Sequence, residues 1–225
     1  MHEWLMFSLI LLGIWFAIFL FRPFVRKEMF WVSLFTMPSG LTEPLFVPEY
    51  WNPPSLFDLA ARTGFDIESL IFSFAVGGVA AALYEAIFNV EHRRMNKRET
   101  YRKRHLLHRL AIISPIIVFV PLYFLTNLNP IYSVSAALLV GGVLALLCRP
   151  DLKRKIVIGG LLFLGLYFIF FLGINILFPY FVNYWNLSAL SGVFIVGVPI
   201  EELMYALTFG MMWSSVYEHI LWYRL

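Results

Sequence analysis

Seven apolar stretches divide the chain, and the short segments between them carry most of its charged residues. A membrane core needs roughly 20 apolar residues per helix. On that scale the sequence predicts spans at residues 4–22, 28–47, 66–91, 109–128, 131–148, 156–178 and 188–222. The last stretch is too long for one straight helix, and Gly192, Gly197 and Pro199 are expected to break it. The pattern therefore predicts an all-α polytopic membrane helix bundle with about seven transmembrane helices, forming one membrane domain over residues 1–225.

The composition supports this fold class. Of the 225 residues, 60% are hydrophobic and 14% are charged, whereas a soluble domain is about a quarter charged. The first stretch lacks a basic segment before it and a small-residue cleavage site after it, which favours a retained helix over a cleaved signal peptide. Cys148 is the only cysteine, so no intramolecular disulfide can form.

The basic residues predict the orientation in the membrane. They gather in three connections that follow spans one, three and five, residues 21–27, 91–109 and 148–155, while the opposite connections contain a single basic residue, Arg62. Cytoplasmic connections carry the excess of Arg and Lys. We therefore expect an integral protein of the cell membrane with its N-terminus outside and its C-terminus in the cytoplasm. The basic loops suit contacts with anionic lipids, and their placement argues against nucleic-acid binding.

Two segments of the chain, residues 50–85 and 184–218, resemble each other. Both begin with Tyr-Trp-Asn, and an Ile-Glu pair and a Tyr-Glu pair follow at matching spacing. This predicts two parallel three-helix repeats, related by an axis along the membrane normal and joined by a linker helix. The predicted repeats are residues 1–91 and 131–225, and the predicted linker helix is residues 109–128.

Glu201 and Glu202 are the only charged residues between Trp185 and Tyr217. An ionised carboxylate in hydrocarbon costs several kcal/mol, so it pairs, faces a cavity or takes up a proton. Two neighbouring acids in a dry site do not easily both ionise. The pair therefore predicts a sheltered general acid beside a carboxylate that acts as a base or stabilises charge. Glu201 is the expected proton donor.

Other acids extend the candidate site. In the first repeat Glu68 aligns with Glu201, and both Glu68 and the nearby Asp66 could serve either as helix caps or as functional acids. Glu43 is a further candidate, because an apolar span that prolines interrupt gains no stability from a glutamate. Glu85 and Glu218 lie near the basic ends of their spans, where pairing with Arg or Lys is expected.

Metal and nucleotide motifs are missing from the sequence. His105 and His108 form an H-x-x-H without an acidic ligand nearby, and the aspartates Asp58, Asp66 and Asp151 never cluster. No run resembles a glycine loop that cradles phosphates. We therefore expect neither a metal ion nor a cofactor.

Polar and aromatic residues near these acids form the predicted binding surface. Tyr205 follows Glu201 by one helical turn and can share its face. Trp51 and Trp185 could instead belong to the aromatic belt at the membrane interface. The catalytic candidates are Glu201, Glu202 and Glu68, and the substrate-binding candidates are Glu43, Asp66, Tyr205, Phe72, Trp185, Trp51, Asn186 and Asn52.

The segment "PIEELMYALTFGMMWSSVYEH" resembles the P-x-E-E signature of the small integral-membrane lycopene cyclases, the non-flavin type, and "DIESLIFSFAVGGVAAALYE" resembles the matching segment of the other half. The family is built from two related three-span units. The resemblance implies cofactor-free, proton-initiated cyclisation of the end of a linear carotenoid such as lycopene. It places the family's acidic motif on Pro199, Glu201 and Glu202, and in the first half on Glu68 alone. Ser69 stands where the second glutamate is expected.

Two other functions stay open at this point. A non-catalytic membrane protein that binds isoprenoids or carotenoids would keep the fold, and the altered first half fits it. A proton-coupled transporter would also use repeats and acids within the membrane, but the many bulky aromatic residues argue against it. In each case the expected partners are a hydrophobic isoprenoid ligand and membrane lipids.

Overall fold

The computed structural model describes residues 2–96, 100, 105 and 107–225. Part of the basic connection predicted at 91–109 therefore lies outside the described residues. The helices are α1 (Glu3–Phe21), α2 (Arg26–Thr36), α3 (Leu59–Thr63), α4 (Ile67–Phe88), α5 (His108–Leu125), α6 (Pro130–Cys148), α7 (Lys153–Leu177), α8 (Ile200–Trp213) and α9 (Val216–Leu221). Short 3-10 helices lie between them, the longest at Met37–Leu45.

Five helices in the described part of the chain are long and apolar enough to cross a membrane. They are α1, α4, α5, α6 and α7, the last counted together with the 3-10 turn before it, and they correspond to five of the seven predicted spans. The apolar helices thus indicate membrane integration. The seven-span prediction is not confirmed, because the stretches at 28–47 and 188–222 are broken in the structure.

The two broken stretches differ from the prediction for identifiable reasons. α2 ends at Thr36, and the chain continues as the 3-10 helix Met37–Leu45, which contains Pro38, Gly40 and Pro44. The second break falls where glycine and proline predicted it. Strand β2 (Phe194–Ile195) turns through Val196 and Gly197, both with positive φ, into β3 (Val198–Pro199), and α8 begins at Ile200. Positive φ at both central residues is the geometry of a tight hairpin turn.

The helices pack as two groups of three. α4 packs against α1 and α2 in the first group, α8 packs against α6 and α7 in the second, and α4 contacts α7 where the groups meet. Small residues allow the close approach of α7 and α8: a side chain at Gly210 would lie 2.8 Å from Cβ of Phe163 and 3.0 Å from Cα of Gly160. α5 packs mainly on α6. Near the end of the chain, β1 (Arg93–Arg94) pairs antiparallel with β4 (Tyr223–Arg224).

The two Tyr-Trp-Asn motifs pair with each other. The amide of Asn52 donates to the carbonyl of Tyr184 at 2.7 Å, and the amide of Asn186 donates to the carbonyl of Tyr50 at 2.8 Å. Trp51 and Trp185 face each other in an antiparallel bridge. This reciprocal pairing agrees with a duplicated chain, although the duplication itself stays a prediction.

Candidate active site

A cavity of about 200 Å³ lies between the two helix groups. Its walls are mostly aromatic, with Trp4, Phe7 and Phe72 on one side and Tyr167, Phe171 and Phe209 on the other. Two carboxyl groups reach it, those of Glu43 and Glu202. Pockets for whole drug-sized ligands run to roughly 300–1,000 Å³. The cavity therefore suits one end of a long apolar molecule.

Glu202 projects from the first turn of α8 into this cavity and is 5% exposed. Its Oε1 accepts hydrogen bonds from the Trp185 indole N–H at 2.8 Å and from the Tyr50 hydroxyl, and its Oε2 accepts from the Tyr167 hydroxyl at 3.1 Å. Burial raises the pKa of Glu202, and these three donors oppose that shift only in part. Donors on both oxygens stabilise the ionised carboxylate.

Glu43 lies in the 3-10 helix after α2, outside the five long apolar helices, and is also buried. Among the described residues, no hydrogen-bond donor contacts its Oε1. Burial raises the pKa of Glu43 to about 8, and the negative charge of Asp66 acts in the same direction. Ser69 and Trp51 lie near the carboxyl group and only partly oppose this shift. The surroundings of Glu43 therefore favour the neutral carboxylic acid.

Glu201 and Glu68 occupy corresponding positions but do not line the cavity. Oε1 of Glu201 accepts the Ser191 amide at 2.8 Å and the Tyr132 hydroxyl at 2.6 Å. Burial alone raises the pKa of Glu201, but these hydrogen bonds outweigh it and hold the pKa below its usual value. Oε1 of Glu68 accepts the Leu56 amide at 2.7 Å. Each carboxylate thus accepts a backbone amide from the segment that precedes its own helix.

The predicted substrate-binding residues fall into two groups. Phe72, Trp51, Trp185 and Tyr205 line the cavity together with Glu43. The other three lie outside its lining: Asp66, Asn52 and Asn186. Tyr205 faces the same cavity as Glu202 rather than sharing a surface with Glu201.

The three residues outside the cavity have structural contacts. Asp66 caps α4, accepting the Ser69 amide at 2.5 Å, which was one of its two predicted roles. The side chain of Asn186 donates to the Glu49 carbonyl at 3.3 Å. Asn52 contributes its backbone amide to the pairing of the two motifs.

Three tyrosines that bind the paired acids, Tyr50, Tyr132 and Tyr167, are not among the residues predicted from the sequence. A tyrosine inside an apolar span carries a hydroxyl that needs a partner when it is buried. Tyr132 in α6 and Tyr167 in α7 both lie inside apolar spans, so each hydroxyl group indicated a polar partner nearby.

A buried ion cluster lies at the other end of the helix groups. Nζ of Lys155 pairs with Oε1 of Glu218 at 2.6 Å, with Oε1 of Glu28 at 3.0 Å and with Glu85. The pairing of Glu85 and Glu218 with a basic side chain is confirmed. His92 also contacts Glu218, at 2.5 Å. The ammonium group contacts all three carboxyl groups, so the cluster is a buried ionic joint between α2, α4, α7 and α9.

The fold and the cavity define a helical protein of membrane type that presents two carboxyl groups to an aromatic pocket. The family model for lycopene cyclase matches residues 129–220, so this segment of the chain is similar to the lycopene cyclase family. The match includes Glu202, Tyr167 and Trp185 and ends short of Glu43 and Tyr50, which lie in the first half. It supports a carotenoid cyclase-like role. No curated protein and no solved structure matches the chain.

Proposed function

We propose that the protein is a membrane-embedded, cofactor-independent cyclase that closes a ring at the end of a linear carotenoid such as lycopene. The observation that carries this proposal is the placement of Glu43 and Glu202 on one aromatic cavity. The two acids have different surroundings: among the described residues no donor contacts Oε1 of Glu43, whereas three donors bind the carboxyl group of Glu202. Such pairs divide the roles of acid and base between them.

Glu43 is the proton donor in this proposal. Its O–H bond breaks as the terminal alkene of the substrate takes the proton, and a tertiary carbocation forms at the neighbouring carbon. The π electrons of a second alkene then close the ring and move the positive charge into it. A neutral carboxylic acid in an apolar pocket is suited to the first step. The donor assignment thus moves from Glu201, expected from the sequence, to an acid that reaches the cavity.

Glu202 is the carboxylate that stabilises the ring cation and removes a proton from the adjacent carbon. The electrons of that C–H bond form the ring alkene, so one proton enters, one leaves and no oxidation occurs. Three donors hold the carboxylate in place before the reaction, which is the arrangement expected of electrostatic stabilisation. The faces of Phe72, Tyr205 and Phe209 supply cation–π attraction along the cavity wall.

The test is expression of the wild-type protein, Glu43→Gln and Glu202→Gln in a host that accumulates lycopene, with separation of the pigments by chromatography. Glu43→Gln cannot deliver a proton, so only lycopene should remain. Glu202→Gln leaves protonation by Glu43 possible but removes the carboxylate that stabilises the ring cation. The cyclised product should therefore fall about 100-fold or more. The remaining product should then include alcohols formed when water captures the cation. Glu49→Gln, a change at an exposed glutamate in the same connection, is the matched control and should behave as wild type.

The alternative of a carotenoid-binding protein without activity predicts a different result. The purified wild-type protein would then carry bound lycopene, and no cyclised pigment would form in any strain. Cyclised pigment at the wild-type level from Glu43→Gln would rule out Glu43 as the donor.

A further inference from the structure

Three buried side chains from separate parts of the sequence meet near the end of α6. Cys148 is the last residue of α6, His108 is the first residue of α5, and His105 lies three residues earlier. Sγ of Cys148 is 3.6 Å from Nδ1 of His105 and 3.6 Å from Nδ1 of His108. All three side chains are buried, and their ligand atoms lie within 4.8 Å of one another.

These distances are those of ligands on a shared metal ion. In a tetrahedral zinc site, Zn–S is about 2.3 Å and Zn–N about 2.0–2.1 Å, which places sulfur and nitrogen about 3.6 Å apart. Both measured distances have this value. The thiol can donate to one nitrogen and accept an N–H from the other, and the same separations allow one metal ion to lie between the three atoms.

The ring of His108 is held in the form that a metal requires. Its Nε2 lies 2.8 Å from the carbonyl oxygen of His219. A carbonyl can only accept, so Nε2 carries the hydrogen and the lone pair of the neutral ring lies on Nδ1, toward Cys148. Metal-binding histidines usually donate their second ring N–H in this way. The indole of Trp222 stacks on the same ring at 3.9 Å and fixes its orientation.

We propose that His105, His108 and Cys148 bind a zinc ion. Two imidazole nitrogens and one thiolate suit a borderline-soft cation, and the set offers none of the oxygen ligands that magnesium and calcium prefer. The pair His105 and His108 alone did not predict this site, because 40 residues separate His108 from Cys148 and the ligands meet only when α5 packs on α6.

The zinc site is separate from the proposed active site. Leu138 of α6 lines the cavity, and the ten residues from Leu138 to Cys148 correspond to about 15 Å of helix. The ion joins the start of α5 to the end of α6, and through His219 and Trp222 it also orders the C-terminal residues. Binding of the ion to the folded state alone would stabilise that state.

The test begins with elemental analysis of protein purified through a tag that contains no histidine, in buffers without chelator. We expect about one zinc ion per chain in the wild type. Cys148→Ser and His105→Ala should lose it. His2→Ala, which removes an exposed histidine elsewhere, should retain it. Retention of zinc by Cys148→Ser would overturn the proposal.

Cobalt provides a second measurement that needs no variant. Replacement of zinc by Co²⁺ in the wild-type protein should produce a thiolate-to-cobalt charge-transfer band in the near ultraviolet. Because the chain has one cysteine, such a band can come only from Cys148. Wild-type protein that contains no zinc and gives no such band with Co²⁺ would also overturn the proposal.

Discussion

Glu201 and Glu202 are adjacent in the sequence, yet their carboxyl groups lie in different surroundings and have different hydrogen-bond partners. Glu202 reaches the aromatic cavity and binds Tyr50, Tyr167 and Trp185, whereas Glu201 accepts the Ser191 amide beside the loop before α8. Neighbouring residues on a helix point about 100° apart. The orientation of α8 therefore decides which acid meets the substrate.

The first prediction compares two amide variants of this pair. Glu202→Gln should lower the rate of ring formation by about 100-fold or more, because it removes the carboxylate that stabilises the cation. Glu201→Gln should keep most of the activity, because its Oε1 accepts backbone and hydroxyl donors that an amide oxygen can also accept. Pigment analysis normalised to the amount of protein in the membrane measures both. The reverse ranking would return the catalytic role to Glu201, as the sequence predicted.

The second prediction concerns pH. Glu43 donates its proton only when neutral, and its pKa is raised to about 8. The rate should therefore fall about tenfold for each further unit above that pH, as the acid ionises. The measurement is initial rates in membrane vesicles that are equilibrated at each pH. A rate that stays constant as the pH passes well above 8 would contradict Glu43 as the donor.

The third prediction concerns Lys155. Replacement by Met leaves Glu28, Glu85 and Glu218 buried around an uncharged side chain, and breaking a buried ion pair costs about 3–5 kcal/mol. Thermal denaturation of the detergent-solubilised protein should show a clear loss of stability. Adding Glu218→Gln to Lys155→Met should recover part of it, because one unpaired carboxylate is removed. Lys153→Met, at an exposed position two residues away, is the control and should have little effect.

The fourth prediction tests the orientation expected from the basic connections. A cysteine in place of Leu128, which is exposed in the connection between α5 and α6, should react with an impermeant maleimide added outside intact cells. A cysteine in place of Lys153 should react only after the cells are opened. Cys148 is fully buried, so the parent protein should remain unlabelled. Labelling of position 153 alone in intact cells would reverse the topology.

Sequence patterns identified the long helices because an apolar run of about 20 residues has few other uses. They also located the break before α8, since Gly197 adopts a positive φ and Pro199 ends the hairpin. They did not show that Glu43 and Glu202 share a cavity, because that depends on how the 3-10 helix Met37–Leu45 and α8 pack against other helices. They missed the hydroxyl of Tyr167 for the same reason: its partner lies 35 residues away on another helix.

The pairing of the two Tyr-Trp-Asn motifs has the form of a contact between identical partners. Each motif donates one backbone amide to the other and accepts one amide through a carbonyl. The hydrogen bond from Asn52 to Tyr184 therefore has an equivalent from Asn186 to Tyr50. Contacts of this kind are those of a symmetric dimer. Under the duplication predicted from the sequence, a half-length ancestor carrying one motif would already have possessed a surface complementary to its own copy, as a homodimer requires.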